Sequence, residues 1–138
     1  MNIKKLSILS ICIVMVITIF AGCTSAGVPM DLSSEWKQSN SNSEDYYQVA
    51  TIKDNIIEIY HVSDKGETKS LYWVGSVIAP KTSEEPYVWE SKNDHSRTDK
   101  SLLGSLDDTK TMTYENGILS YKFSIVGTTT TVKLEIQK

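Results

Sequence analysis

From Tyr46 to the C-terminus the apolar residues fall at every second position, in short runs divided by turn chemistry. Alternation of that kind turns one face of a strand to a core and the other to solvent. Ile57, Ile59 and His61 share one face of such a run, against Ile56, Tyr60 and Val62 on the other. In the last run Val132, Leu134 and Ile136 oppose Lys133, Glu135 and Gln137. The pattern predicts strands over 34–38, 46–53, 56–62, 68–78, 87–90, 110–114, 118–126 and 129–136. Between them stand Asp54-Asn55, Ser63-Asp64-Lys65-Gly66 and Glu115-Asn116-Gly117, and Asn-Gly is the strongest short hairpin signal. Gly75, inside a long strand, signals a bulge or a close approach.

A parallel sheet needs crossovers of about a dozen residues or more, and the connections leave no room for them. The expected fold is all-β: a small antiparallel up-and-down barrel or sandwich of about eight strands, with residues 34–138 as a single domain. Residues 91–109 break the pattern. Ser91 to Lys100 holds no apolar side chain, and Leu102, Leu103 and Leu106 then fit a short helical turn.

The N-terminus obeys different rules. Met1–Lys5 is short and basic, and Leu6–Phe20 is an apolar run of 15 residues broken only by Ser7, Ser10 and Thr18. A helix of that length rises roughly 22 Å, short of the ~30 Å hydrocarbon core of a bilayer. A charged start, an apolar stretch and small residues at its end describe a secretory signal. The stretch Phe20-Ala21-Gly22-Cys23 resembles the lipobox of bacterial lipoprotein precursors. That resemblance implies a signal peptide over 1–22, cleavage between Gly22 and Cys23, and diacylglycerol and acyl (palmitate) groups on Cys23. It places the protein at the outer face of the cell membrane. The competing reading is an ordinary secreted chain cut after Ala21 or Ala26. Two acyl chains give stable anchoring where one is marginal. Residues 23–33, with Ser25, Ala26, Gly27 and Pro29, are expected to be a short tether to the folded part.

The body is similar to a family of small secreted or lipid-anchored proteins of Gram-positive bacteria and their prophages. The residues that carry the likeness are Trp36-Lys37-Gln38, Tyr47 to Ile52, Lys69 to Trp73, Ser91 to Asp94 and Asp107 to Thr111. The early Trp36 before an up-and-down run of strands also resembles lipocalin-like bacterial barrels. The family has no assigned activity, so the likeness implies an address and an association with mobile elements rather than a reaction.

Composition removes some classes. Past residue 22 the chain carries 12 basic and 17 acidic residues, which argues against binding nucleic acid through its phosphates. One cysteine, Cys23, remains there, so no internal disulfide forms. Catalysis needs a nucleophile or an acid–base pair with a partner that orients it. The two histidines are His61, in a strand, and His95, in the polar segment beside Asp99. No serine stands in a nucleophile-elbow motif, and a hydrolase would have to use His95. Asn93, Asp94, Asp99, Asp107 and Asp108 supply the hard oxygens that calcium prefers, but at no known loop spacing, and a solvated charged loop explains them as well. No metal and no cofactor is expected.

Binding is the better class. Trp36, Tyr72, Trp73, Tyr87 and Trp89 are the candidate binding surface, weighed against the core packing that large rings also serve. Leu71-Tyr72-Trp73-Val74 is apolar on both faces, so one face must meet something besides solvent. The leading expectation is a membrane-anchored lipoprotein that binds another protein, as in immunity or superinfection exclusion. The alternative is a lipocalin-like carrier of a small apolar ligand.

Overall fold

A computed structural model describes residues 27–138. The expected signal peptide, its cleavage site at Gly22 and the lipid-bearing Cys23 lie outside these residues. The eight strands are β1 Ser34–Gln38, β2 Tyr47–Lys53, β3 Ile56–Ser63, β4 Thr68–Ser76, β5 Tyr87–Lys92, β6 Thr109–Glu115, β7 Ile118–Ile125 and β8 Thr128–Ile136. All pair antiparallel in one sheet of order β4-β3-β2-β1-β8-β7-β6-β5. The sheet curls into a nearly closed barrel. Its first and last strands pair with each other, so the break falls mid-chain, between β4 and β5.

Local chemistry sets the hairpins. Asp54 and Asn55 both adopt positive φ (52° and 60°), as do Asn116 and Gly117 (52° and 80°). These are the mirror-image turns whose twist matches that of the strands they join. Between β7 and β8 the turn is Val126-Gly127, with φ of 47° and 75°. A β-branched residue in that region is strained, and Val126 is almost fully exposed as well.

Inward-facing positions fill the barrel with Trp36, Ile57, Ile59, Trp73, Met112, Leu119 and Leu134, each at most 1% exposed. Fully burying a Leu, Ile or Met side chain contributes about 1.5–3 kcal/mol before entropy is charged against it. The Trp36 ring meets Tyr114 edge-on at 6.1 Å, and its indole N–H donates to the Leu32 carbonyl at 3.3 Å. Leu32 is itself core, and the Met30 N–H donates to the Thr82 carbonyl at 3.1 Å. Residues 27–33, expected as tether, therefore pack against the end of the barrel that also holds the β2–β3 turn. Leu32 in the core and the Met30 backbone bond together dock them.

The seam between β4 and β5 carries one ladder bridge, Gly75 to Asn93. The 93–108 segment covers the rest as a strap. Its helical turn is α1, His95–Thr98, upstream of the leucines that suggested one; the Asp94 carboxylate caps it, accepting from the Ser96 N–H at 3.1 Å. Leu102 and Leu106 are exposed, and Leu103 half-exposed. The strap gives β4 the partners that a ninth strand would have given. The Asp94 N–H donates to the Val74 carbonyl at 2.7 Å and the Ser105 N–H to the Tyr72 carbonyl at 2.8 Å. The Ser101 hydroxyl donates to the Leu71 carbonyl at 2.6 Å, and the Val74 N–H donates to the Thr98 hydroxyl at 3.3 Å. Asn93 holds the strap's return, its side-chain NH₂ donating to the Ser105 and Asp107 carbonyls at 3.1 and 2.7 Å.

This arrangement answers the two-faced apolar strand. A register shift opposite Ile59 and Tyr60 leaves Tyr72 without a ladder partner, so Tyr72 and its neighbour Trp73 both join the core. Val74 is buried where α1 packs on β4. The second face meets the chain's own strap.

Gly75 is the close approach. A Cβ there would overlap the Ser91 hydroxyl and the Trp73 indole nitrogen, which hydrogen-bond each other at 3.0 Å. Gly75→Ala is therefore expected to destabilise the fold by about 1–3 kcal/mol, the range for overpacking a full site. A urea midpoint equal to that of the parent would show that the seam has slack.

Candidate functional site

The two ends of the barrel differ. One is plugged by Leu32 and the 27–33 segment. The other is a mouth formed where β1, β3 and β7 end and where β2, β4 and β8 begin. A partly open cleft of about 620 Å³ occupies the mouth. That falls within the ~300–1,000 Å³ typical of small-molecule sites. Its 17 lining residues include no Asp, Glu, Lys or Arg. In a chain of which 22% is charged, that is a chemical statement about what fits.

The strand period that builds the core also builds the floor. On β2 the inward series runs Gln48, Ala50, Ile52; on β3 it runs Ile57, Ile59, His61; on β7 it runs Leu119, Tyr121, Phe123. Each series is apolar in the middle of the barrel and turns polar or aromatic at the mouth. His61, Tyr72 and Phe123 form a triangle of rings with centroids 5.0–5.3 Å apart. Burial holds the His61 imidazole below its ordinary pKa of 6.5, so it is neutral at pH 7. Neither of its nitrogens meets a hydrogen-bond partner among the described residues, and the ring lines the cleft.

Gln48 lies beside it, only 4% exposed. Burial pushes the Tyr121 phenol well above its usual pKa, which keeps its proton in place, and the O–H donates to the Gln48 side-chain oxygen. The Gln48 backbone N–H donates to the Gln38 side chain at 2.9 Å. The Gln48 side-chain NH₂ has no partner among the described residues. Other rim groups are already engaged: Asn40 donates to the Thr131 carbonyl at 2.8 Å, and Lys122 to the Thr131 hydroxyl at 2.6 Å. Leu103 of the strap and Ile125 of β7 complete an apolar lip, flanked in sequence by the exposed Leu102 and Val126.

The residues singled out in the sequence are placed elsewhere. Trp36, Tyr72, Trp73 and Trp89 are buried core residues and present no surface. Tyr87 is half-buried, stacked on Trp89 at 5.6 Å, with its hydroxyl donating to the Ile78 carbonyl. Of the five, only Tyr72 nears the cleft, through its contacts with His61 and Phe123. Their ring area closes the barrel instead.

His95 lies outside the mouth, on the strap. Its two nitrogens meet Asp99 at 2.8 Å and Asp108 at 2.9 Å, and those hydrogen bonds raise its pKa above the ordinary 6.5. Arg97 pairs with Glu58 of β3 at 2.6 Å. Lys110, almost fully buried, reaches Asp107 and the Lys122 carbonyl, both at 3.2 Å, and sits over the Tyr72 and Trp73 rings. Partial burial works to raise the Asp107 pKa, but the bonds from Lys110 and Ser105 hold the carboxyl below its usual range. Each acid of the 93–108 cluster thus has a structural partner. Among the described residues no group of three His, Cys, Asp or Glu is arranged to hold a metal.

No family model, curated protein or solved structure matches the chain. The reading of the site rests on its geometry.

The two histidines should tilt stability in opposite directions with pH. His95 binds its proton more tightly folded than unfolded, so its clip contributes fully below about pH 6.5 and is lost as pH rises through its raised pKa. His61 binds its proton less tightly folded, so stability falls as pH drops below about 6.5. In urea titrations from pH 5 to 9, His95→Asn should lose most at the acid end, and His61→Phe should flatten the acid fall. Parallel pH profiles for parent and both variants would contradict these placements.

Proposed function

We propose that the chain is a lipid-anchored, extracytoplasmic binding protein that works through the barrel mouth and not by catalysis. The observation that carries this reading is the charge-free cleft whose floor holds polar groups without a protein partner among the described residues, the NH₂ of buried Gln48 and the ring nitrogens of half-buried His61. A recess that leaves such groups unpaired is stabilised by a ligand that pairs them. Among the described residues no carboxylate lies against His61 to orient it, and no acid lines the cleft, which favours binding over acid–base chemistry there.

The anchor reading rests on the lipobox-like stretch ending at Cys23, and the position of residues 27–33 supports a definite orientation. Those residues leave from the plugged end. Cys23 and Gly27 are four Cα–Cα steps apart, a reach of at most about 14 Å. An anchored barrel would therefore sit close to the bilayer with its mouth turned away from it. No helix among the described residues is long and apolar enough to cross a membrane. A ligand for such a mouth arrives from outside the membrane, which distinguishes this protein from a carrier that extracts lipids.

A second reading, immunity or superinfection exclusion by contact with another protein, is favoured by the exposed Leu102, Leu106 and Val126 beside the mouth. Native mass spectrometry of protein released from the membranes of an expressing bacterium separates the two. We expect a chain that begins at an acylated Cys23 and holds a co-purifying small molecule, which Phe123→Asp abolishes. A co-purifying protein lost on Leu102→Ser would favour the second reading. An unmodified chain in the medium, with nothing bound, would overturn both.

A further inference from the structure

The mouth is specific enough to name a class of ligand, given the reading of it as a binding site. Three observations bear on that class. First, the lining is wholly uncharged. An ionised ligand would surrender its hydration there without meeting a counter-charge. Second, the NH₂ of buried Gln48 and the ring nitrogens of half-buried His61 have no partner among the described residues, and both side chains line the cleft. A hydrocarbon chain laid over them would take their remaining contact with water and return no hydrogen bond. A site built to hydrogen-bond its ligand rejects analogues that lack the matching groups far more strongly than an apolar slot rejects a wrong shape. Third, the floor is aromatic on one side. Phe123 and His61 meet at 5.3 Å with planes 64° apart, giving a shallow corner of ring faces and edges. The electron-rich face of such a ring attracts polarised C–H groups as well as covering apolar area.

Together these requirements describe a ligand that is neutral, carries hydrogen-bonding groups on its edge, and has a flat C–H face. We propose that the mouth binds a neutral saccharide. One sugar ring lies with its C–H face on the Phe123 ring. Its hydroxyl or acetamido oxygens accept from the Gln48 NH₂, and one of its hydroxyls hydrogen-bonds the edge of the His61 ring through a single nitrogen. Ser70 and Thr130 add hydroxyls at the rim, and Leu103 of the strap closes over the outer edge. The partly open shape of the cleft admits one or two rings of a longer chain and leaves the remainder in solvent. The orientation proposed above agrees with this assignment, since a mouth facing away from the bilayer meets water-borne and surface polymers, not acyl chains.

Isothermal titration of the full-length protein, extracted from membranes in a non-glycosidic detergent, tests the class. The probes are tri-N-acetylchitotriose and maltotriose as neutral sugars, trigalacturonic acid as a charged sugar and laurate as an apolar ligand. The expected result is saturable binding of at least one neutral sugar and none of the other two. Gln48→Leu and His61→Phe should each weaken that binding tenfold or more, and Thr130→Val severalfold. Thr130 is a rim residue, so this third variant keeps the test valid if a floor variant fails to fold. Saturable laurate binding abolished by His61→Phe would overturn the saccharide assignment and leave the mouth as the binding site. Sugar binding unmoved by all three substitutions would overturn both. Absence of saturable binding by either neutral sugar would overturn the assignment.

Discussion

The seam between β4 and β5 is the constraint on which the rest of this barrel depends. An antiparallel sheet of eight strands has two edges, and an exposed edge invites pairing with other chains. Here β1 and β8 pair directly, whereas β4 and β5 share no ladder: Gly75 bridges Asn93 just past β5, and Trp73–Ser91 and Ser76–Lys92 hydrogen bonds involving side chains span the gap. The strap performs the remaining closure by donating to the Leu71, Tyr72 and Val74 carbonyls and accepting from the Val74 N–H. Side chains and a loop thus replace a strand ladder. The polar groups of β4 are satisfied without a regular neighbour, as buried backbone must be.

That solution shapes the mouth. Because the strap crosses the seam on the mouth side, it brings Leu103 to the lip of the cleft and seats α1 against β4. Beside its neutral hydrogen bonds to β4 it carries ion pairs on the outside: His95 between Asp99 and Asp108, and Arg97 on Glu58. Charges that elsewhere would gather at a site are used up holding the strap. The cleft is left neutral. The opposite end is closed by Leu32 beneath Trp36, so the two ends of the barrel differ, one plugged and one open.

Strand positions were legible in the sequence because period two and turn residues act locally. Asn116-Gly117 and Asp54-Asn55 specify their hairpins whatever the tertiary context. The eight-stranded antiparallel sheet followed from strand number and short connections. What the sequence hid were effects of closure. Leu102, Leu103 and Leu106 have helical spacing, but α1 formed at His95–Thr98 because Asp94 caps it there and β4 needs covering at Val74. Trp36, Trp73 and Trp89 were ambiguous between core and surface, since nothing local tells a ring that fills a barrel from one that greets a partner. The cleft left a trace of its own: His61 continues the inward face of Ile57 and Ile59. Gln48 does the same on the face of Ala50 and Ile52. Polar residues ending apolar faces at a common barrel end mark a mouth, but only once strand register is known.

Hydrogen exchange of individual amides in the full-length protein tests the central claim, that the strap is a structural closure and not a loop resting on a finished sheet. The Asp94 and Ser105 amides, which donate across the seam to Val74 and Tyr72, are the reporters. Our account predicts that both exchange only with global unfolding, as slowly as the Thr51 and Glu58 amides in the β2–β3 ladder. Fast exchange of Asp94 and Ser105 beneath a protected sheet would contradict it: the barrel would then stand open at β4, and the mouth would lose the lip that gives it shape.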